Sequence, residues 1–282
     1  MSDDRRELEA FARTVEALGP YLDRLVFIGG WAHFLYTLRP EAAPLRFSPL
    51  TTKDADVAAP LDLPSRGTTI AQRLIDAGFK QQLCGDHIPP VSSYALGDDA
   101  AGYYVEFLAP LIGGERKRDG RLDATAKVGG VSAQKLRHLD VLLLSPWQVT
   151  ISPEHGFPVG RPTAIRIPNP AAYLVQKVLV LRTRAPGKQA KDVLYLHDTL
   201  AIFADALPVL GAAWTELKPQ LDPAHVRTFE KRAASLVASM SDLIRNAARI
   251  AADRPRAPSP EELLAGLRRG FVEVFGLHLS AR

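Results

Sequence analysis

Val26-Phe-Ile-Gly29-Gly30-Trp31-Ala32, followed further along by Thr51-Thr-Lys-Asp54-Ala-Asp56-Val57, is the part of the chain on which the rest of the reading depends. Leu25–Ile28 is a short apolar run closed by two glycines, which reads as a buried strand entering a tight turn. Trp31 to Leu38 takes helical spacing, and Arg39-Pro40 closes it. Ala55–Ala59 reads as a second strand, with Thr51 to Asp54 leading in and Pro60 ending it. Side chains alternate along a strand, so Asp54 and Asp56 project to the same side. Two carboxylates held together repel one another and resist burial unless a cation is shared between them. Hard oxygens of this kind suit Mg²⁺ (or Mn²⁺), which takes its remaining ligands from water and substrate phosphates. An Asp-x-Asp sequence also occurs in solvated surface loops, and taken alone the pair fits that reading better.

Three neighbouring features change the balance. Gly29-Gly30 sits between a strand and a helix; glycine lets a backbone come close to a phosphate, and the free N–H groups of a helix start favour an anion. The same residues would also serve as a plain turn. Glu106 interrupts the apolar run Tyr103-Tyr-Val-Glu-Phe-Leu108. It either faces solvent by alternation or stands as a third acid beside the pair. Finally, the stretch from His155 to Lys191 holds no Asp or Glu but carries Arg161, Arg166, Lys177, Arg182, Arg184, Lys188 and Lys191. An acid-free cationic stretch can neutralise a triphosphate or a nucleic-acid backbone, although part of it also suits a solvated helix face.

Composition sets the outer limits. The 282 residues are 46% hydrophobic, enough for one large core or two modest ones, and 23% charged, so bulk disorder is not expected. A net charge of +4 is too small to argue for nucleic acid, which leaves that argument to local distribution. The single cysteine, Cys84, excludes a disulfide framework or a Cys-rich zinc site within one chain. The charged N-terminus reads as a surface helix rather than a signal peptide. Val141–Leu144 and Leu174–Leu181, the longest apolar runs, are too short to span a bilayer. The expectation is a cytoplasmic protein with no membrane partner. His33, His87, His138, His155 and His197 show no metal-ligand spacing with one another or with Cys84. No Walker lysine motif and no nucleophile elbow is present. Gly113-Gly114 and Gly129-Gly130 lack a strand-to-helix context and read as turns.

Further out, the spacing predicts a helix over residues 4–18, a short helix over 67–77, and strands over Phe79–Leu83, Val91–Leu96 and Tyr103–Leu108, with turn chemistry at Gly85-Asp86 and Gly97-Asp98-Asp99. Residues 39–50 and 113–123 read as loops, and Gln148–Ser152 and Thr163–Ile167 as further strands. From Asn169 the pattern turns helical: Ala171–Arg184, Lys188–Asp205, Pro223–Ala251 and Pro260–Phe275. Ser259-Pro-Glu-Glu262 supplies a helix start, with a Ser cap, Pro in the first turn and acids near the positive end of the helix dipole. The expected fold is therefore an α/β (α+β) lobe with a mixed sheet at 1–165, followed by an α-helical lobe at 166–282.

Taken together, Val26-Phe-Ile-Gly-Gly-Trp-Ala32 and Thr52-Lys-Asp-Ala-Asp-Val57 resemble the nucleotidyltransferase superfamily, whose fold is similar to the catalytic core of DNA polymerase beta. In that family a Gly-Gly or Gly-Ser turn precedes an Asp-x-Asp or Asp-x-Glu strand, and a later strand brings a third carboxylate, for which Glu106 is the candidate here. Pro170-Ala-Ala-Tyr-Leu-Val-Gln-Lys177, Arg182, Arg184 and Lys188-Gln-Ala-Lys191-Asp192 resemble a signature of uncharacterised bacterial nucleotidyltransferases and of AbiE-type abortive-infection toxins. The resemblance spans roughly residues 24–200.

The resemblance implies transfer of a nucleoside monophosphate from an NTP to an acceptor hydroxyl. It implies Asp54, Asp56 and Glu106 as metal ligands, and Gly29 and Gly30 against the triphosphate. Lys177, Arg182, Arg184 and Lys191 would contact phosphates, and Asp192 would be a catalytic or structural acid. The acceptor could be an RNA such as the 3′ end of tRNA, a protein side chain or a small molecule, and a toxin would imply a cognate antitoxin. Two other readings stay open: a nucleotide- or RNA-binding module that keeps the fold without turnover, and a purely structural protein with surface acids.

Overall fold

The computed structural model describes residues 2–44, 53–86, 88–97, 102–116, 120–252 and 257–278. Thr51, Thr52, His87, Asp98, Asp99 and the end of the 39–50 stretch, all read above from sequence, lie outside the described residues. The chain forms two compact units. One comprises Met1–Leu38 with Thr51–Pro168, the other Arg39–Leu50 with Asn169–Arg282.

The first unit runs in order through α1 (Ser2–Leu18), β1 (Val26–Ile28), α2 (Gly29–Leu35), β2 (Asp54–Ala58), α3 (Ile70–Asp76), β3 (Lys80–Cys84), β4 (Val91–Leu96), β5 (Tyr103–Pro110), β6 (Thr125–Val128), β7 (Val131–Leu136), α4 (Asp140–Leu143), β8 (Trp147–Ile151) and β9 (Thr163–Ile167). Its main sheet has the order β1-β2-β5-β4-β3, and β7, with β6 beyond it, pairs with the end of β5. β2 and β5 are parallel, β1 is antiparallel to β2, and β4 is antiparallel to β5, so the sheet is mixed as expected. β8 and β9 form a separate antiparallel hairpin.

Period-two burial explains how this sheet packs. Ala55, Val57, Tyr103, Val105 and Phe107 are buried on one face, and that face meets helix α1, where the Thr14 hydroxyl donates to the Tyr103 oxygen at 3.2 Å. Phe11 of α1 stacks on Trp31 with ring centroids 4.0 Å apart and tilts onto Phe27 at 5.1 Å. Helices therefore cover one face of the sheet with apolar surface, and the residues between those buried positions, Asp54, Asp56, Tyr104 and Glu106, point to the other face.

The sequence reading missed the β6–β7 hairpin, although it placed the Gly129-Gly130 turn that joins the two strands. Gly129 adopts φ +56°, its N–H donates to the Leu63 carbonyl and its carbonyl accepts from Ile70, so the turn is pinned to the start of α3.

The second unit holds α5 (Pro170–Val180), α6 (Pro186–Ile202), α7 (Leu207–Leu217), α8 (Pro223–Val237), α9 (Asp242–Ala251) and α10 (Pro260–Phe275). It also includes Ala43, whose N–H donates to the Ile202 carbonyl at 2.7 Å. Its core gathers Trp214, Phe229, Phe271 and Phe275, with Phe229 and Phe275 centroids 4.7 Å apart. Two helix readings are corrected here. Pro223–Ala251 is broken into α8 and α9, because the Ser241 hydroxyl accepts from the Ile244 N–H and so starts a new helix rather than continuing the old one. Helix α7 was not read at all; its near-continuous apolar run carries no clear periodicity. The capping box at Ser259 and Glu262 forms as the sequence indicated. Among the described residues, no single helix is long and apolar enough to cross a membrane.

Candidate active site

The carboxylate face is set by strand register. In the parallel pairing of β2 with β5, Asp54 lies opposite Tyr104 and Asp56 opposite Glu106. Glu106 in turn pairs with Ser93 of β4, and Ser93 with Gln82 of β3. On the other side Asp56 pairs with Ile28, the last residue before the glycine turn. Partners in register share a face, so three half-buried acids on two neighbouring strands lie on one face of the sheet. The alternative in which Glu106 merely faces solvent on its own does not hold, because its cross-strand partner is one of the Asp pair.

Gly29 fixes the other boundary of this group. It has φ +67°, a left-handed conformation that favours glycine, and a Cβ built on it would stand 2.3 Å from Asp56 Oδ2 and 3.2 Å from Asp56 Cγ. The Asp56 carboxylate thus occupies the space that any other residue at position 29 would fill. Helix α2 begins at this glycine, and Ile28 at its N-cap offers no side-chain cap. Gly30 is buried in the first turn.

Tyr104 shares the face with the three acids. Its phenol is pushed up, first by burial and then by the negative charges of Asp54, Glu106 and Asp56, which places all three within electrostatic reach of one hydroxyl. Among the described residues no group of three His, Cys, Asp or Glu side chains is placed to hold a metal ion, so Asp54, Asp56 and Glu106 share the face without converging on one cation position. The donor set instead suits a hard divalent cation that keeps water and takes phosphate oxygens, which needs a few carboxylates on an open face rather than a protein cage. Gly29 supports that fit, since the backbone there is bare of side chain next to a carboxylate.

In the helical unit, Lys177 of α5 is buried, with 7% of its surface exposed. Its ammonium donates to Asp192 Oδ1 at 2.7 Å, and Arg184 Nε donates to Asp192 Oδ2 at 3.0 Å. Asp192, on α6, is 1% exposed. The ammonium also lies 5.4 Å from the Tyr173 ring centroid and 4.9 Å from that of Tyr195, over which Lys191 lies at 5.6 Å. Two cations share one buried carboxylate, and Lys191 adds a third, so the cluster keeps a positive excess. Arg182, on the turn that follows α5, is exposed and is not part of this ion cluster.

Tyr104 and the Tyr173–Tyr195 pair are absent from the sequence reading. Tyr104 was legible, since it stands two residues before Glu106 and so shares its face by alternation. The tyrosine pair was not, because only the meeting of α5 with α6 brings the two rings to Lys177. His33 is fully buried, and the ring of His197 meets the carboxylate of its neighbour Asp198 at 3.0 Å.

The model of a family described as nucleotidyltransferase matches residues 6–218, which takes in the first unit from within α1 onward, Lys177 and Asp192, and helices α5 to α7. No curated protein matches the chain. With a glycine turn against an acid triad on the open face of a mixed sheet, and a family match over most of its length, the chain belongs to the nucleotidyltransferase family, transferases of phosphorus-containing groups.

Proposed function

We propose that the protein transfers a nucleoside monophosphate from an NTP to an acceptor hydroxyl with the help of Mg²⁺ or Mn²⁺ held by Asp54, Asp56 and Glu106. The observation that carries this reading is the register of Asp56 with Glu106, beside a Gly29 that leaves no room for a side chain. A divalent cation at these acids supplies charge neutralisation for the triphosphate and for the departing pyrophosphate. The residues themselves do the positioning on which phosphoryl chemistry mostly depends. Asp54 and Asp56 would hold the cation to which the phosphate end of the NTP binds, and Gly29 and Gly30 let that end lie close to the backbone. Glu106 completes the set of acceptor oxygens on the face. Tyr104, beside them, offers a hydroxyl and a ring edge to the incoming acceptor.

The family resemblance assigns Lys177, Arg182, Arg184 and Lys191 of the helical unit to phosphate contacts. Asp192 is the positioning acid that holds Lys177 and Arg184 in fixed directions. The acid-free stretch from His155 to Lys191 favours an RNA acceptor, such as a tRNA 3′ end, over a neutral small molecule. A tRNA 3′ end is the acceptor of some toxin nucleotidyltransferases, and a toxin role would bring a cognate antitoxin as partner.

The test is incubation of the purified chain with each NTP, labelled at its α-phosphate, together with total RNA and Mg²⁺. Wild type should label an RNA band and release pyrophosphate, and Asp54→Asn should do neither while keeping its circular dichroism spectrum. Full transfer by Asp54→Asn would overturn the assignment. Binding of the RNA should weaken steeply with salt, and salt-insensitive binding would remove RNA as the acceptor.

A further inference from the structure

Within the helical unit lies a pocket of about 500 Å³ whose wall includes Leu181, Arg182, Gln189, Arg232, Ser235 and Leu236. None of its lining side chains is acidic. Arg73, Arg166 and Arg268 donate to backbone carbonyls, whereas other arginines pair with carboxylates: Arg24 with Asp62, Arg66 with Asp23, Arg184 with Asp192, Arg269 with Glu273. The two guanidiniums of the pocket have no such partner among the described residues. Arg232 donates through Nη1 to the Leu179 carbonyl, which anchors it and leaves its other N–H groups for the pocket. An anchored guanidinium is pre-organised, so little further ordering is needed when it meets an anion.

We propose that this pocket binds a nucleoside monophosphate, either free or as one unit of an RNA. Its volume falls in the range of small-molecule sites, about 300–1,000 Å³. Arg182 and Arg232 supply the fork geometry that matches a phosphate. Leu181 and Leu236 give an apolar wall for a flat base, and the Ser235 hydroxyl and the Gln189 amide supply hydrogen bonds for ribose or the base edge. A fully apolar ligand would leave two guanidiniums desolvated without a counter-charge, and a bare phosphate would leave the leucine wall wet. Only a ligand with both parts satisfies both halves of the wall. The site shares Arg182 with the phosphate contacts that the resemblance implies, but it draws on none of Asp54, Asp56, Glu106, Lys177 or Asp192, so Ser235→Trp tests it separately from the proposed transferase chemistry.

The experiment titrates AMP into the full chain by calorimetry with EDTA present, so that no cation occupies the acids of the first unit. AMP should bind at least about tenfold more tightly than adenosine or inorganic phosphate. Ser235→Trp, which fills the mouth from an exposed position, and Arg182→Ala should each weaken AMP at least about tenfold, while Asp54→Asn binds it like wild type. Absence of AMP binding, equal binding by Ser235→Trp, or equal loss in Asp54→Asn would overturn the proposal. A short single-stranded oligoribonucleotide forms the last arm. If it binds more tightly than AMP and is lost in the same two variants, the ligand is a nucleotide unit of RNA; if AMP binds as well or better, the ligand is the free nucleotide. Transfer activity is not read in any arm, so failure of the transferase reading would leave this result intact.

Discussion

Replacing Gly29 by alanine tests the candidate active site most directly. Two costs can be read from the structure. Position 29 has φ +67°, and a left-handed backbone costs a residue with a Cβ about 1–2 kcal/mol. The new Cβ would also lie 2.3 Å from Asp56 Oδ2, 3.2 Å from Cγ and 3.3 Å from Cβ, so the carboxylate must rotate away from its rotamer, at about 0.5–1.5 kcal/mol. The sum is about 1.5–3.5 kcal/mol, which lowers Tm by roughly 3–14 °C in a domain of this size. The effect on turnover is larger, because the displaced group belongs to the acid triad; a misplacement of about 1 Å in such a group costs on the order of 100-fold in rate. Gly129→Ala is the control. It has φ +56° and its Cβ would lie 2.5 Å from Ile70 Cδ1, so it shares the backbone strain and the collision but touches only the packing of α3. Thermal unfolding followed by circular dichroism gives the stability loss, and pyrophosphate release gives kcat. Both variants should be destabilised, and only Gly29→Ala should lose kcat in its folded fraction. Wild-type kcat in Gly29→Ala, or equal losses in the two variants, would refute the reasoning.

Other consequences are open to simpler measurements. Glu106→Gln removes one of three neighbouring negative charges, so without divalent cation it should unfold no more easily than wild type, and added Mg²⁺ should raise its Tm less; equal stabilisation of both proteins by Mg²⁺ in differential scanning fluorimetry would exclude Glu106 from the cation site. Asp192→Leu strands the buried Lys177 ammonium and should cost about 3–5 kcal/mol in urea unfolding, with much of it regained in Lys177→Met/Asp192→Leu. A double variant no more stable than the single would mean that the pair is not the source of the loss. Ser259→Ala should cost about 1 kcal/mol by removing the helix cap. In the same capping box the Ser259 backbone N–H donates to the Glu262 carboxylate and, together with the Ser259 hydroxyl, holds that carboxyl below its usual range. Its contribution is therefore present above the ordinary carboxylate pKa and fades as pH falls through the lowered value in the fold. Glu262→Gln, which removes the titrating group, should flatten stability across that acid window, and an unchanged pH profile would contradict this.

Much of the first unit was legible because its signals are local. The apolar run ending at Ile28, the glycines that follow and the alternation around Asp54 and Asp56 each depend on residues close in sequence, and so does the placement of β3, β4 and β5. The β6–β7 hairpin escaped because Thr125–Val128 and Val131–Leu136 mix polar and apolar residues without clean alternation. The break between α8 and α9 escaped because it rests on whether the Ser241 hydroxyl turns to its own backbone, which helical periodicity does not reveal.

The sequence by itself determined the strand–glycine turn–helix start, the helical character of the chain after Asn169, the family resemblance and the two acids on one strand. It could offer Glu106 only as one of two alternatives, because whether a carboxylate on a later strand stands beside the pair depends on register, and a slip of one residue would turn it to the helix-covered face. Tertiary structure decided that register, opposite Asp56. It also separated two cations that look alike in sequence: Lys177 is buried on Asp192, whereas Arg182 opens into a pocket with Arg232. Electrostatic partners are chosen by which helices meet. Chain order does not carry that information across the residues that separate Arg182 from Arg232.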